Sequence, residues 1–138
     1  MVQPLLIGES NPYSRDPSHA LLPWPVNASG GRLARLLHLT DREYLRAFDR
    51  MDLLPGPRWS IVEARRAAAL VVQRRPEGAI ILLGTKVAAA FAREAGAALT
   101  LWGRVGRYVV APHPSGLNRI WHDPEAPARL RALLAEHI

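Results

Sequence analysis

Short apolar runs alternate with helical apolar spacings along the chain. Residues 5–7 and 79–83 are continuous apolar runs that end at a glycine, and they predict buried strands. A third strand is predicted within residues 48–54, and one or two more are predicted at residues 99–102 and 107–111, on either side of a glycine-containing turn. Continuous apolar runs of this kind are typical of parallel sheets that are covered on both faces.

Helix-start signals separate these strands. Thr40 and Ser60 each stand three residues before a glutamate, which is the spacing of a capping box, and each predicts a helix start. Leucines at helical spacing from position 33 onward predict a helix of about three turns. Thr85 opens an alanine-rich helix, and Asp123, followed by a proline and a glutamate, predicts the start of the last helix.

Strand and helix therefore alternate four times. This order predicts a single domain spanning residues 1–138, folded as a three-layer α/β/α sandwich with a short, mostly parallel four-stranded sheet. In such sheets, ligands bind at the carboxyl ends of the strands.

Charge and composition narrow the classes of function. The 138 residues include 18 Lys and Arg and 12 Asp and Glu, a formal net charge of +6, and Lys86 is the only lysine. Arginine binds phosphate through two N–H groups at once, so a polyanionic partner is one interpretation; arginines on solvated helix faces are the other, and the charge alone does not separate them. The absence of cysteine excludes disulfides, thiolate zinc sites and a cysteine nucleophile.

Membrane and metal signals are weak. No apolar run approaches the roughly 20 residues of a membrane span, and residues 1–8 lack the basic flank and long apolar core of a signal peptide. We therefore expect a cytoplasmic monomer without a membrane partner. The five histidines show no metal-ligand spacing, so no metal or cofactor is expected. Four of them are interpreted as surface or helix-cap residues: His19, His38, His122 and His137.

Two loops carry the candidate chemistry. Residues 8–13 read Gly-Glu-Ser-Asn-Pro-Tyr, and residues 113–119 read His-Pro-Ser-Gly-Leu-Asn-Arg. Each loop follows a predicted parallel strand, so we expect both loops at the same edge of the sheet.

Together the loops resemble the paired motifs of the uracil-DNA glycosylase superfamily. Residues 8–13 resemble its water-activating loop, Gly-x-(Asp/Asn)-Pro-(Tyr/Gly), with one extra residue; residues 113–115 are similar to the His-Pro-Ser loop of its better-known enzymes, and residues 115–119 look more like the mismatch-specific branch. Residues 29–33 and 80–84 resemble a helix start and the central strand of the family. The resemblance implies a monofunctional glycosylase of base-excision repair, which flips a uracil or related modified base out of single- or double-stranded DNA and hydrolyses its N-glycosidic bond without a cofactor.

The resemblance also implies catalytic roles. His113 is expected to donate a hydrogen bond to the base oxygen and so stabilise the leaving anion. Asn11 is expected to position the attacking water, with Glu9 as an alternative base because an amide cannot take up the proton. Asn11 is equally consistent with an Asx turn before Pro12, and His113 with a loop histidine that binds nothing.

A base pocket is implied by the same resemblance, formed by Gly8, Ser10, Pro12, Tyr13, Trp24 and Asp52. Tyr13 is expected to reject a 5-methyl base, or else to be a half-buried aromatic. Trp24 and Trp121 either stack on a base or belong to the core. Asp52 stands where the family usually has an asparagine. An ionised aspartate only accepts hydrogen bonds, so it opposes the O4 of uracil and prefers an exocyclic amine, unless burial keeps it protonated.

DNA contacts are expected from the second loop. The resemblance makes Leu117 the wedge that fills the space left by the flipped base, Ser115 a phosphate ligand and Arg119 a partner of a phosphate or of the opposite base. The further DNA-binding residues implied are Ser29, Gly116 and Asn118. A core leucine and a solvated arginine are the plain alternatives. Two rival functions remain open: a catalytically weak or inactive DNA-binding homologue, and an enzyme that acts on a free nucleoside or nucleotide.

Overall fold

A five-stranded, mostly parallel sheet and five α-helices make up the computed structural model of the protein, which describes residues 2–138. The strands are β1 (Leu5–Gly8), β2 (Asp49–Asp52), β3 (Ile80–Leu83), β4 (Arg104–Val105) and β5 (Tyr108–Ala111). The helices are α1 (Ser29–Leu36), α2 (Asp41–Ala47), α3 (Ile61–Arg74), α4 (Thr85–Ala95) and α5 (Ala126–Leu134). Short 3-10 helices cover Pro17–His19, Arg119–His122 and Ala135–His137.

Strand order in the sheet is β2-β1-β3-β5-β4. The first four strands in this order run parallel, with Gly8 paired to Asp52 across β1 and β2, and Leu83 paired to Ala111 across β3 and β5. Parallel strands share the edge at which they end, so the loops after β1, β2 and β5 leave the sheet together. The expectation that the two candidate loops meet at one sheet edge is confirmed.

The predicted count of four strands is wrong. The strand that was not predicted is β4, a two-residue edge strand that pairs antiparallel with β5. A turn joins these two strands, and in it Gly106 has a φ of +56°. Residues 99–102 form no strand: the Gly103 N–H donates to the Thr100 carbonyl at 2.9 Å, and Trp102 has a φ of +68°. Leu99 and Leu101 pack against the core from this turn, which explains why the segment is apolar.

Helices cover both faces of the sheet, because alternate strand residues point in opposite directions. Ile7, Ile80, Leu82 and Val110 pack with α3 and α4 in one buried cluster. Leu6, Ile81, Leu83 and Val109 pack with α1, α2 and α5 in the other. The arrangement is an α/β fold that is compatible with three layers. No helix within residues 2–138 has the length and hydropathy that crossing a membrane requires.

Three of the predicted helix starts are confirmed: α4 begins at Thr85, and Thr40 and Ser60 cap α2 and α3. Thr40 Oγ1 accepts from the Glu43 N–H at 3.2 Å while Glu43 Oε1 accepts from the Thr40 N–H at 2.9 Å, and Ser60 accepts from the Glu63 N–H at 3.3 Å. These bonds satisfy backbone donors that the first helical turn leaves free.

The bounds of the first and last helices differ from the prediction. Helix α1 has eight residues rather than about three turns, because the chain leaves the helix at Leu37 and His38, whose φ is +58°. Asp123 does not cap the last helix: its carboxylate accepts from the Glu125 N–H at 2.9 Å within a turn, and α5 begins only at Ala126.

Candidate functional site

A cavity of about 380 Å³ opens at the carboxyl edge of the sheet, between the loop after β1, the end of β2 and the start of the loop after β5. All predicted catalytic and base-pocket residues line it, as does Ser29, whereas the other predicted DNA contacts lie outside the lining. The lining residues are Gly8, Glu9, Ser10, Asn11, Pro12, Tyr13, Ser14, His19, Leu21, Leu22, Trp24, Pro25, Ala28, Ser29, Gly30, Asp52 and His113. This volume lies within the range of small-ligand sites.

The floor of the cavity is set by β1 and β2. The two strands stay paired beyond their ends: the Leu53 N–H donates to the Gly8 carbonyl at 2.9 Å and the Leu54 N–H to the Glu9 carbonyl at 3.0 Å. This pairing holds Asp52 beside Gly8. A Cβ atom added at Gly8 would lie 2.9 Å from Asp52 Oδ1, so any larger residue at this position would displace the carboxylate from its present place.

Asp52 is partly buried and has no ion-pair partner among residues 2–138. Burial raises its pKa to about 6, because a carboxylate loses hydration in the cavity wall. The carboxyl therefore changes between a hydrogen-bond donor and a pure acceptor within about a pH unit of neutrality. Its expected position at the end of the second strand, inside the pocket, agrees with the structure.

His113 is held by its own loop. Its Nδ1 atom accepts from the Ser115 N–H at 3.1 Å, so the neutral ring carries its proton on Nε2. Burial lowers the pKa of His113 below its ordinary value, and the nearby charge of Glu9 only partly opposes this. The neutral ring thus presents an Nε2–H donor, for which residues 2–138 provide no hydrogen-bond acceptor.

The backbone after β5 is locked around this histidine. The His113 carbonyl accepts from Asn118 Nδ2 at 3.0 Å and from Trp121 Nε1 at 2.9 Å. The Asn118 side chain also caps the following 3-10 helix, accepting from the Ile120 N–H at 3.2 Å. Trp121 therefore has a structural role in the loop, and its ring packs edge-on against Trp102 rather than facing the cavity.

Arg32 is a site residue that sequence analysis missed. From α1, its Nε donates to the Pro114 carbonyl at 2.8 Å, and a Cβ atom added at Gly116 would lie 3.1 Å from the Arg32 guanidinium carbon. The guanidinium thus braces the 113–119 loop from beneath. The sequence contained one signal for this contact. Arg32 lies near the N-terminus of α1, where a positive charge is unfavourable to the helix dipole, so a contact outside the helix is needed to explain it.

The tip of the same loop is open to solvent. Leu117 is 93% exposed, which excludes the core interpretation of this residue. Its N–H donates to Ser115 Oγ at 3.2 Å, and the hydroxyl proton of Ser115 remains free to donate elsewhere. Arg119 is also exposed, beside the tip.

Asn11 forms the Asx turn that was one interpretation of it. Its Oδ1 accepts from the Tyr13 N–H at 2.9 Å, and its Nδ2 lies 3.5 Å from the His19 carbonyl oxygen. The second lone pair of Oδ1 is still available, and the side chain lines the cavity. The water-positioning role stays a prediction.

Aromatic side chains stand at the mouth of the cavity. Tyr13 is 94% exposed, so its interpretation as a half-buried aromatic is wrong; the Asx turn carries Pro12 and Tyr13 outward to the rim. Trp24 is 50% exposed and lines the cavity. His19 is exposed as predicted, yet it also contributes to the lining and bonds to Ser14 Oγ at 2.8 Å through Nδ1.

The rear of the long loop between β1 and α1 is anchored. The buried Tyr44 hydroxyl donates to the Leu21 carbonyl at 2.8 Å, and Arg50 Nη1 donates to the Ala20 carbonyl at 3.0 Å. A Cβ atom at Gly30 would lie 2.2 Å from the carbonyl oxygens of Leu21 and Leu22, so only glycine permits this approach of loop to helix. The cavity wall is therefore fixed on one side while its rim is exposed.

No group of three or more His, Asp or Glu side chains within residues 2–138 is arranged to hold a metal ion. No family model, curated protein or solved structure matches this chain.

Proposed function

We propose that this protein is a DNA glycosylase-like enzyme, which flips a uracil or related modified base out of DNA and hydrolyses its N-glycosidic bond. The proposal includes a three-layer fold of the uracil-DNA glycosylase type. The observation that carries it is that His113 and Asn11 line one cavity, together with Asp52, and that the loop beginning at His113 has the exposed Leu117 at its tip. A base-removing enzyme needs a donor for the departing base, a group that holds water, a reader of the base edge and a wedge.

His113 acts on the leaving base. When the bond between C1′ of the sugar and the base nitrogen breaks, its electron pair goes to the base, and negative charge spreads onto the base oxygen. The Nε2–H of a neutral His113 donates to that oxygen, and one fixed donor of this kind contributes about 10²–10³ in rate. The bond from the Ser115 N–H to Nδ1 supports this role, because it fixes which nitrogen carries the proton.

Water completes the reaction at C1′. Asn11 accepts a hydrogen bond from the attacking water through the free lone pair of Oδ1, and the oxygen of that water forms the new bond to C1′. Because the amide cannot take the proton, the carboxylate of Glu9 receives it, and the released base anion is finally protonated from solvent. Glu9 and Asn11 both line the cavity, which is what this step requires.

Asp52 reads the edge of the flipped base. In its ionised form it accepts from an exocyclic amine and opposes the O4 of uracil; in its protonated form it donates to O4. With a pKa of about 6, both forms are present in mildly acidic solution. We therefore propose that amine-bearing bases are favoured above this pH and uracil below it.

The test is base release from oligonucleotides that contain uracil, as single strands and as duplexes, followed by alkaline cleavage of the abasic product. Cleavage is expected with the wild type and with His122→Ala, an exposed histidine outside the cavity lining. Cleavage is expected to fall by about 10²–10³ with His113→Ala, and to fall with Asn11→Ala as well.

Two other outcomes contradict the proposal. Tight, salt-sensitive DNA binding without base release identifies a DNA-binding homologue. Two observations favour this alternative: Asn11 is used in an Asx turn, and position 11 holds an amide rather than a catalytic aspartate. Product from free nucleosides alone identifies a nucleoside enzyme.

A further inference from the structure

A second concave surface lies where α1 meets α5, with a volume of about 330 Å³. We call it the arginine cleft; its lining residues are Arg32, Arg35, Leu36, His38, Pro127 and Arg131. Three arginines and a histidine contribute to it, and no carboxylate does. By contrast, the larger groove beside Trp102 mixes Arg119 and Arg129 with Asp123 and Glu125, so its charges offset one another.

Each arginine of the cleft is fixed by a main-chain carbonyl. The bonds are Arg32 Nε to Pro114 O at 2.8 Å, Arg35 Nη2 to Val26 O at 2.8 Å and Arg131 Nη1 to Leu36 O at 2.9 Å. A neutral carbonyl orients the guanidinium but leaves its charge unbalanced. Within residues 2–138 the arginine–carboxylate pairs lie elsewhere, at Arg75 with Asp49 and Arg104 with Glu136. The cleft therefore presents oriented N–H donors. Because the arginine side chains are already ordered, they lose little conformational entropy when a ligand binds.

The cleft is also continuous with the candidate site. Arg32 lines the cleft and at the same time braces Pro114 and Gly116, in the loop whose tip is Leu117. A strand whose base enters the cavity beside His113, and whose gap is filled by Leu117, has its neighbouring backbone close to this loop.

From these observations we propose that the arginine cleft binds backbone phosphates of the nucleic-acid strand that carries the target base. The inference rests on the proposed function and adds the track that the strand follows. Guanidinium groups bind phosphate oxygens through paired N–H donors. Only Leu36 and Pro127 are apolar in the lining, which leaves little surface for the side chains of a peptide.

The experiment measures binding of a fluorescein-labelled single strand of ordinary bases over a range of salt concentrations, by fluorescence anisotropy. The test variant is Arg35→Ala with Arg131→Ala; Arg32 is left in place because it braces the loop. The matched control is Arg65→Ala with Arg66→Ala, which removes the same charge from exposed positions on α3, on the opposite face of the sheet. Loss of one phosphate contact lowers the slope of log K against log salt by about 0.7 on a single strand.

We expect the cleft variant to lose a slope of about 0.7–1.4 and at least about tenfold in affinity at low salt, while the control keeps its slope. Arg35→Gln alone, at an exposed position, is expected to give about half of the change and keeps the test decisive if the double variant does not fold. Equal losses in both double variants overturn the cleft, because the effect is then general charge. Failure of the wild type to bind the strand also overturns it, as does binding of polyglutamate in place of the strand.

Base release is measured separately on the same proteins. A slope change specific to the cleft, without base release from any substrate, leaves the cleft standing and removes the glycosylase. Base release by the wild type, with equal slopes in both double variants, supports the glycosylase and removes the cleft.

Discussion

The carboxylate of Asp52 lies against the backbone of Gly8: the two residues pair across β1 and β2, and a Cβ atom on Gly8 would be 2.9 Å from Asp52 Oδ1. This contact places an acid without an ion-pair partner among residues 2–138 in the wall of the cavity, where burial raises its pKa to about 6. A carboxyl group in a cleft with a strongly shifted pKa is typical of functional sites. Here it makes the charge of the cavity wall depend on pH near neutrality.

Asp52→Asn is expected to stabilise the protein near neutral pH but not in acid. The pKa of Asp52 is about 6 in the folded protein against an ordinary 3.8, so between these values the folded state binds more protons than the unfolded state. Wild-type stability therefore falls as pH rises through this window. Discounted for partial exposure, the variant gains about 1–2 kcal/mol at about pH 7.5 relative to pH 4. Urea unfolding followed by tryptophan fluorescence checks this; the same difference at both pH values contradicts it.

The same substitution is expected to change base preference. Asparagine both donates and accepts at any pH, whereas ionised Asp52 opposes the O4 of uracil. Uracil release by Asp52→Asn should exceed that of the wild type about tenfold above pH 7, the effect of gaining one hydrogen bond to the base. The gap should close below pH 6, where wild-type Asp52 takes up its proton. Release assays on a panel of modified bases test this, and unchanged rates on every base place Asp52 outside base recognition.

His113 is expected to be neutral at pH 7, with its proton on Nε2. The Ser115 N–H occupies Nδ1, and burial lowers the pKa of the ring. Long-range ¹H–¹⁵N correlation spectra across a pH series report both the tautomer and the titration. A proton on Nδ1 at neutral pH would remove the donor from the proposed mechanism. His113→Ala should reduce base release by about 10²–10³ without abolishing DNA binding.

Asn11→Asp is expected to raise the rate of base release, and Asn11→Ala is expected to lower it. The aspartate keeps an acceptor for the Tyr13 N–H and adds a group that can take the proton of water, so base release should rise at least about tenfold. The alanine loses the Asx turn as well, with a cost of about 1 kcal/mol in stability. Initial rates and urea midpoints of the three proteins make the comparison. A slower Asn11→Asp variant shows that Asn11 does not hold the water.

Leu117→Ala is expected to leave stability unchanged, within about 0.5 kcal/mol, because the side chain makes no core contact. A wedge acts only where stacked base pairs must be kept open. Release from duplex substrate should therefore fall more than release from a single strand, measured as the ratio of the two rates. An unchanged ratio removes the wedge role.

Much of the fold could be predicted because the three central strands, β1, β3 and β5, are covered on both faces. Residues 80–83 are fully buried, and their unbroken apolar run identifies the central strand from sequence. The same signal misled at residues 99–102, where a turn packs its apolar side chains on the core and only the Trp102 N–H reaches β5, donating to the Val110 carbonyl at 2.9 Å. Strand β4 has two residues, an exposed arginine and Val105, and a single apolar residue is too short a pattern to predict a strand.

The part of the candidate site that could be predicted is the part formed by residues at the ends of strands. Gly8, Asp52 and His113 each stand at or just after the end of a parallel strand, and the topology brings them to one edge. The brace from Arg32 to Pro114 spans 82 residues of sequence, and such contacts leave no local periodicity to read. His19 entered the cavity through loop geometry, which the sequence pattern does not specify.

Strand β1 is synthesised before the other four strands of the sheet, yet it lies between β2 and β3 in the finished sheet. It can pair on one side once residues 49–52 have emerged from the ribosome, whereas its other side waits for residues 80–82. During that interval a nascent chain exposes an unpaired apolar edge to other nascent chains. Slower translation through α3 therefore lengthens the time for which this edge of β1 stays unpaired.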